Sequence, residues 1–254
     1  MKLLLTNDDG ISAKGIYALA KELEKEHEVI LVAPDDQRSA CGHSITLNRP
    51  LLAKKVELTG LKSKAFSVDG TPADCVRIAV DRLINGKVDM VISGINCGYN
   101  IGTDVIYSGT VSAAIEAAIY KIPSMAVSLE YTENLEDYST AAEYASRIIN
   151  IAKEKYFKDD IVLNVNVPLL PKKDIKGIKV CKMGNRIYDN YFTPEFSNEE
   201  ELSFEIQGSY NKFLEENTDK YFVKNGYVTI TPLHYDLTNY KILREVSDIF
   251  NEND

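Results

Sequence analysis

Leu3-Leu4-Leu5-Thr6-Asn7-Asp8-Asp9-Gly10 decides the fold. The leucines make a short apolar run of the kind a buried strand needs. That run opens onto two adjacent carboxylates and a glycine. In an open α/β sheet, ligands bind at the carboxyl ends of the strands. Neighbouring carboxylates repel, and holding them together costs free energy unless a cation sits between them. The same residues are also common turn formers. On this octapeptide alone, a divalent-metal site and a plain turn both stand.

Working outward, strand and helix alternate. Lys2–Thr6 reads as a strand, and residues 12–26 as a helix with Ile16, Leu19, Ala20 and Leu23 at helical spacing. Residues 28–33 form a second buried strand, closed by Pro34-Asp35-Asp36. The helix between them is a crossover, which makes the two strands parallel. Thr71-Pro72-Ala73-Asp74 offers a cap residue, a first-turn proline and an early carboxylate, so a helix is expected from there to about residue 85. Further strands are expected at 88–93, Ser124–Leu129 and 161–167, and further helices at 110–120 and 135–155. This rhythm defines an α/β fold with a doubly wound, mostly parallel sheet over residues 1–170. Beyond Pro171 tyrosine and phenylalanine become frequent and acidic residues cluster at 199–201. Residues 171–254 are expected to form a β-rich extension, a hairpin or arm, with a terminal helix near 237–250. It reads as an appendage of the core, not an independent domain.

Charge narrows the functional classes. Lys+Arg 29 against Asp+Glu 38 gives a net charge of -9, and no long basic run offsets it. Binding to a nucleic-acid duplex or an anionic membrane is therefore not expected, since both need clustered cations. Cys41, Cys75, Cys97 and Cys181 are scattered without a C-x-x-C pair, which reads as reduced thiols. The few residues before Asn7 are too short for a signal peptide, and no apolar run reaches the length of a membrane span. A cytoplasmic location is expected.

Three polar loops follow predicted parallel strands: Asn7-Asp8-Asp9-Gly10, Asp35-Asp36-Gln37-Arg38-Ser39-Ala40 and Ser93-Gly94-Ile95-Asn96-Cys97-Gly98. Strand ends in a parallel sheet share one edge, so these loops can converge on one crevice. Two carboxylates, a hydroxyl and an amide oxygen suit Mg²⁺, Mn²⁺ or Ca²⁺ better than zinc. Tyr107-Ser108-Gly109-Thr110-Val111 then opens an alanine-rich helix. Such a helix start offers free N–H groups, a positive dipole end and two hydroxyls, which suits a phosphate, although Ser and Thr also serve there as plain caps. The signatures of nicotinamide dehydrogenases, P-loop NTPases, zincins and serine hydrolases are missing. Of the histidines, His43 follows the second loop and is placed to reach a leaving-group oxygen. His27 is expected to be exposed at a turn, and His234 has no assigned role.

The same segments resemble the SurE (survival protein E) family of 5′/3′-nucleotidases. The matching pieces include Leu4-Leu5-Thr6-Asn7-Asp8-Asp9-Gly10, Gln37-Arg38-Ser39, Gly42-His43-Ser44-Ile45-Thr46 and Gly70-Thr71-Pro72-Ala73-Asp74. Ser93-Gly94-Ile95-Asn96 with Gly98 and Asn100, Tyr107-Ser108-Gly109-Thr110-Val111, Leu163-Asn164-Val165-Asn166-Val167-Pro168 and Gly226-Tyr227-Val228-Thr229-Ile230-Thr231-Pro232-Leu233 complete the set in order. The resemblance implies a Rossmann-like core and hydrolysis of nucleoside monophosphates at 5′ phosphates, with action on 3′ phosphates left open. It implies one divalent cation per subunit (Mg²⁺ or Mn²⁺, with Ca²⁺ also admissible) on Asp8, Asp9, Ser39 and Asn96. Ser108, Gly109 and Thr110, with Asn100, would hold the phosphate. Apart from the resemblance, the residues themselves suggest that Asp8 or Asp9 would orient or deprotonate the attacking water, and that His43 would be the acid for the leaving oxygen. The extension would build a homodimer or homotetramer. Here the chain departs from the family, carrying Leu202-Ser203-Phe204-Glu205-Ile206 and no tryptophan where relatives have an aromatic-Trp strand. Two rivals are a metal-dependent nucleotide-sugar transferase and a catalytically silent module that binds metal and nucleotide.

Overall fold

The computed structural model describes residues 1–133, 135–155, 160–185, 188–189, 192–197, 202–206, 209–210 and 214–251. The predicted acidic cluster at 199–201 lies outside the described residues. The strands are β1 Lys2–Thr6, β2 Glu28–Pro34, β3 Ala53–Val56, β4 Lys64–Val68, β5 Met90–Cys97, β6 Ser124–Leu129, β7 Val162–Val167 and β8 Ile178–Val180. In the extension follow β9 Tyr188–Asp189, β10 Phe192–Ser197, β11 Leu202–Ile206, β12 Ser209–Tyr210 and β13 Val228–Leu233. The helices are α1 Lys14–Leu23, α2 Pro72–Ile78, α3 Gly109–Ile119, α4 Ser139–Lys155, α5 Asp219–Lys224 and α6 Leu243–Asn251. Nine strands form one sheet in the order β3-β4-β2-β1-β5-β6-β7-β13-β8. The run from β4 to β7 is parallel, while β3 and β13 pair antiparallel to their inner neighbours β4 and β7.

The three leucines explain the layering. Leu3 and Leu5 point into a core shared with Ile16, Leu19 and Leu23 of α1 and Ala145, Ile148 and Ile149 of α4. Leu4 points the other way, into a core shared with Cys75 and Val76 of α2 and Ala113 and Ala117 of α3. All three are fully buried. Both faces of β1 are covered, which is why its sequence runs apolar without alternation. Burying a leucine side chain stabilises by roughly 2 kcal/mol, so this strand alone anchors both layers.

The winding fixes where a ligand can bind. From β1 the chain moves to β2 and β4 on one side, and then returns to β5, β6 and β7 on the other. The order reverses between β1 and β5, so their carboxyl ends flank the switch-point crevice. Thr6 lies opposite Ser93 in that register. The Asn7-Asp8-Asp9 turn and the Asn96 loop therefore leave the sheet side by side. The extension is more closely tied to the core than its texture suggests, because β13 and β8 belong to the central sheet. Its antiparallel β10–β11 hairpin and α6 are as expected.

Candidate active site

The acidic turn is built to be stiff. Asn7 is fully buried. Its Nδ2 donates to Gly10 O (2.9 Å), and Gly10 N donates back to Asn7 Oδ1 (3.2 Å). Gly10 adopts φ +97°, and a Cβ there would press on the Asp36 backbone at 3.3 Å. Arg38 N donates to Asp8 O (2.7 Å), which ties the second loop to the first.

Asp8 is buried against the start of α3. Thr110 Oγ1 donates to Asp8 Oδ1 (2.5 Å), and Thr110 N donates to Asp8 Oδ2 (3.2 Å). The carboxylate therefore lies on the positive end of that helix. Gly109 is required by contact: a Cβ there would stand 2.9 Å from Asp8 Cβ and 2.9 Å from Cys41 Sγ. Burial outweighs these favourable contacts and pushes the Asp8 carboxyl from 3.8 up to about 6; the charge of Asp9 adds to the rise. Burial also raises Asp9, against hydrogen bonds from the Cys97 backbone and Gln37.

The remaining oxygens favour a cation. Gln37 Nε2 donates to Asp9 Oδ1 (3.4 Å) and to Ser39 Oγ (2.9 Å), so it bridges the two loops. Asn96 Nδ2 donates to Gly98 O (2.8 Å), which leaves its Oδ1 as the atom that could accept a cation. Among the described residues, no three His, Cys, Asp or Glu side chains cluster as a metal site. The set of Asp8, Asp9, Ser39 and Asn96 has only two carboxylates, completed by neutral oxygens, and that composition suits a hard cation that keeps several waters. Two neighbouring carboxyls, both destabilised as anions by burial, are what such a cation would relieve. The residues fit the group.

On the phosphate side, Ser108 Oγ accepts from Val111 N (3.1 Å), so this hydroxyl caps α3. Thr110 spends its N–H and hydroxyl on Asp8. Asn100 is buried and directed toward the next two strands. Its Nδ2 donates to Ser128 Oγ (2.8 Å), its N donates to Asn166 Oδ1 (2.9 Å), and its carbonyl accepts from Asn164 Nδ2 and Asn166 Nδ2. That hub fixes the loop between β5 and α3. His234 Nδ1 accepts from Asp236 N (2.9 Å) and its ring stacks on Tyr235. His27, expected to be exposed, has both ring nitrogens buried without a hydrogen-bond partner among the described residues.

His43 shows what sequence reading missed. Its Nε2 lies 2.6 Å from Glu116 Oε2, and Arg77 Nη1 donates to Glu116 Oε1 (3.3 Å). Glu116 is buried and is the one charged residue in the α3 sequence Gly-Thr-Val-Ser-Ala-Ala-Ile-Glu-Ala-Ala-Ile. A lone carboxylate on an apolar helix was the available signal. The His43 loop is pinned on both sides. Gly42 N donates to Tyr107 O (3.0 Å), Thr46 N and Oγ1 donate to the Asp74 carboxylate, and Thr71 Oγ1 donates to Ser44 O.

Fold and site define a doubly wound α/β protein with an acidic crevice at its switch point. A sequence profile described as "Survival protein SurE" matches residues 3–190. The chain belongs to the SurE family. It is 53% identical over 251 residues to a protein of Clostridium botulinum (strain ATCC 19397 / Type A) named "5'-nucleotidase SurE", covering 98% of this chain and 99% of that one. It is 51% identical to a protein of the same name from Clostridium beijerinckii, covering 99% and 100%. The crystal structure of the SurE protein from Aquifex aeolicus superposes with a TM-score of 0.87 at 39% identity, covering 98% of this chain and 99% of that one.

Proposed function

We propose that this chain hydrolyses the phosphate monoester of nucleoside monophosphates, as the names of its relatives indicate for them. One observation carries the reading: a buried carboxylate, with a second beside it, is held at the N-terminus of α3 on the switch-point crevice. Asp8, Asp9, Ser39 and Asn96 would hold one divalent cation per subunit, with Mg²⁺ or Mn²⁺ favoured and Ca²⁺ admissible. Such a cation supplies charge to offset the phosphate oxygens and acidify a water. The start of α3 binds the phosphate through the Ser108 hydroxyl and the Gly109 N–H, with Thr110 holding Asp8 beside it. Asp9, the more open carboxylate, takes the proton of the attacking water, and His43 protonates the leaving oxygen. Asn100 supports the site by holding its loop.

The extension is proposed to assemble a homodimer or homotetramer. Leu243, Val246, Ile249 and Phe250 on α6 are all exposed, as are Phe192, Leu202 and Phe204 of the hairpin. An amphipathic helix with its apolar stripe in water is a surface for another chain. Among the described residues, no helix is long and apolar enough to cross a membrane. Four free thiols suit a cytoplasmic setting. Phosphate release from a nucleoside 5′-monophosphate, with Mn²⁺ or Mg²⁺ and then with chelator, tests the reading. Release that needs the cation and disappears in Asp8→Asn supports it, and cation-independent release would count against it.

A further inference from the structure

We infer that Glu116, clamped by Arg77, is the positioning residue that fixes the His43 imidazole for protonation of the leaving oxygen. The inference rests on the phosphomonoesterase reading above. An ionised carboxylate only accepts hydrogen bonds, so the 2.6 Å contact places a proton on His43 Nε2 and turns Nδ1 outward. Glu116 is buried and also takes the Arg77 guanidinium at 3.3 Å, so its carboxylate is held from both sides. It lies seven residues after Gly109, about 10 Å along the helix axis, and helical side chains lean back toward the N-terminus. The imidazole therefore lies alongside the second turn of α3, displaced from Glu116 toward the helix start. Two residues earlier in the same loop, Cys41 Sγ packs against the Gly109 position, which Asp8 also flanks. In the step assigned to it, water forms a new bond to phosphorus as the ester P–O bond breaks. The leaving oxygen keeps that electron pair and takes the Nδ1 proton of the His43 imidazolium, while Asp9 takes the proton of the attacking water. The ring, left neutral with its Nε2–H still donating to Glu116, regains an Nδ1 proton from solvent.

Leaving-group chemistry separates this role from a structural one. A nucleoside alkoxide needs a proton to leave, whereas p-nitrophenolate does not. With Mn²⁺ present, His43→Gln is expected to lower kcat on a nucleoside 5′-monophosphate about 10²-fold, and to leave p-nitrophenyl phosphate within about threefold. Glu116→Gln should show the same selectivity at about tenfold, with KM little changed, and should not slow His43→Gln further. If Glu116→Gln does not fold, Glu116→Asp carries the test, since its shorter carboxylate draws back from the ring. Independently of turnover, ¹⁵N NMR of the metal-free protein should show the His43 Nε2–H signal shifted in the Glu116 variant. Equal losses on both substrates, additive losses in the double variant, or an unmoved His43 signal would overturn the inference. A wild-type enzyme that cleaves the aryl ester but no nucleotide would instead undo the nucleotidase reading and this role with it.

Discussion

At Asp8 stability and chemistry pull in opposite directions. Its carboxyl is held near 6 in the folded protein against 3.8 for an open aspartate, mainly by burial. Below pH 4 both states keep the proton and the residue costs nothing. Between about 4 and 6 the unfolded chain ionises first, so stability falls as pH rises; above 6 the loss is complete, at about 3 kcal/mol. Asp8→Asn should therefore raise the melting temperature of the metal-free protein, by a margin that widens from pH 4 to pH 7. The same variant should lose more than about 10²-fold in phosphate release, because it removes charge and not packing. Calorimetry at the two pH values and a phosphate assay check both halves; a margin that narrows would contradict the burial argument. Thr110→Ala removes the hydroxyl bonded to Asp8 Oδ1 and should lower kcat/KM about tenfold, whereas unchanged steady-state kinetics would leave Thr110 with only a helical role.

Between elements, the site depends on α1 lying directly on β5. A Cβ on Gly15 would fall 2.0 Å from Ile95 O and 3.0 Å from Ile95 C, both backbone atoms next to Asn96. Gly15→Ala should cost about 1–3 kcal/mol or more and weaken cation-dependent turnover together, read by thermal melts and by titration of activity with Mn²⁺. Full stability with full activity would show that the helix can move away freely. This approach between elements distant in sequence also marks how far the sequence is legible. The leucine run, the α1 spacing and the Thr71-Pro72-Ala73-Asp74 helix start were readable because each is a local pattern. β3 was not, since Ala53-Lys54-Lys55-Val56 is a short edge strand with its lysines exposed. The acidic loops were readable because parallel strands must end on one edge. The Glu116–His43 pair was not, because the partners are 73 residues apart and meet only through the loop that crosses α3. Asn100 reads locally as a ligand contact, yet its partners come from β6 and β7, which no spacing in its own loop reveals.

Across the whole molecule, the extension contributes to both core and surface. β13 adds to the sheet beside β7, with Thr229 opposite Asn166 and Leu233 opposite Val162, while α6 leaves its apolar side in water. If that side is an assembly surface, Val246→Asp should reduce the mass measured by sedimentation equilibrium, and an unchanged monomeric mass for both proteins would count against assembly through α6. Asp219, at the start of α5 within the extension, accepts from Gly102 N (2.8 Å) and Gly184 N (2.8 Å), so the extension also grips the loop that leads into α3. Those parts surround the crevice where the reaction is placed, and phosphate release from 5′- and 3′-nucleoside monophosphates by the wild type and Asp8→Asn, each with Mn²⁺, Mg²⁺ or chelator, decides whether it occurs there. The wild type should release phosphate, chelator should abolish that release, and Asp8→Asn should lack it. Release that persists in chelator, or in the variant at limiting cation, would contradict that placement.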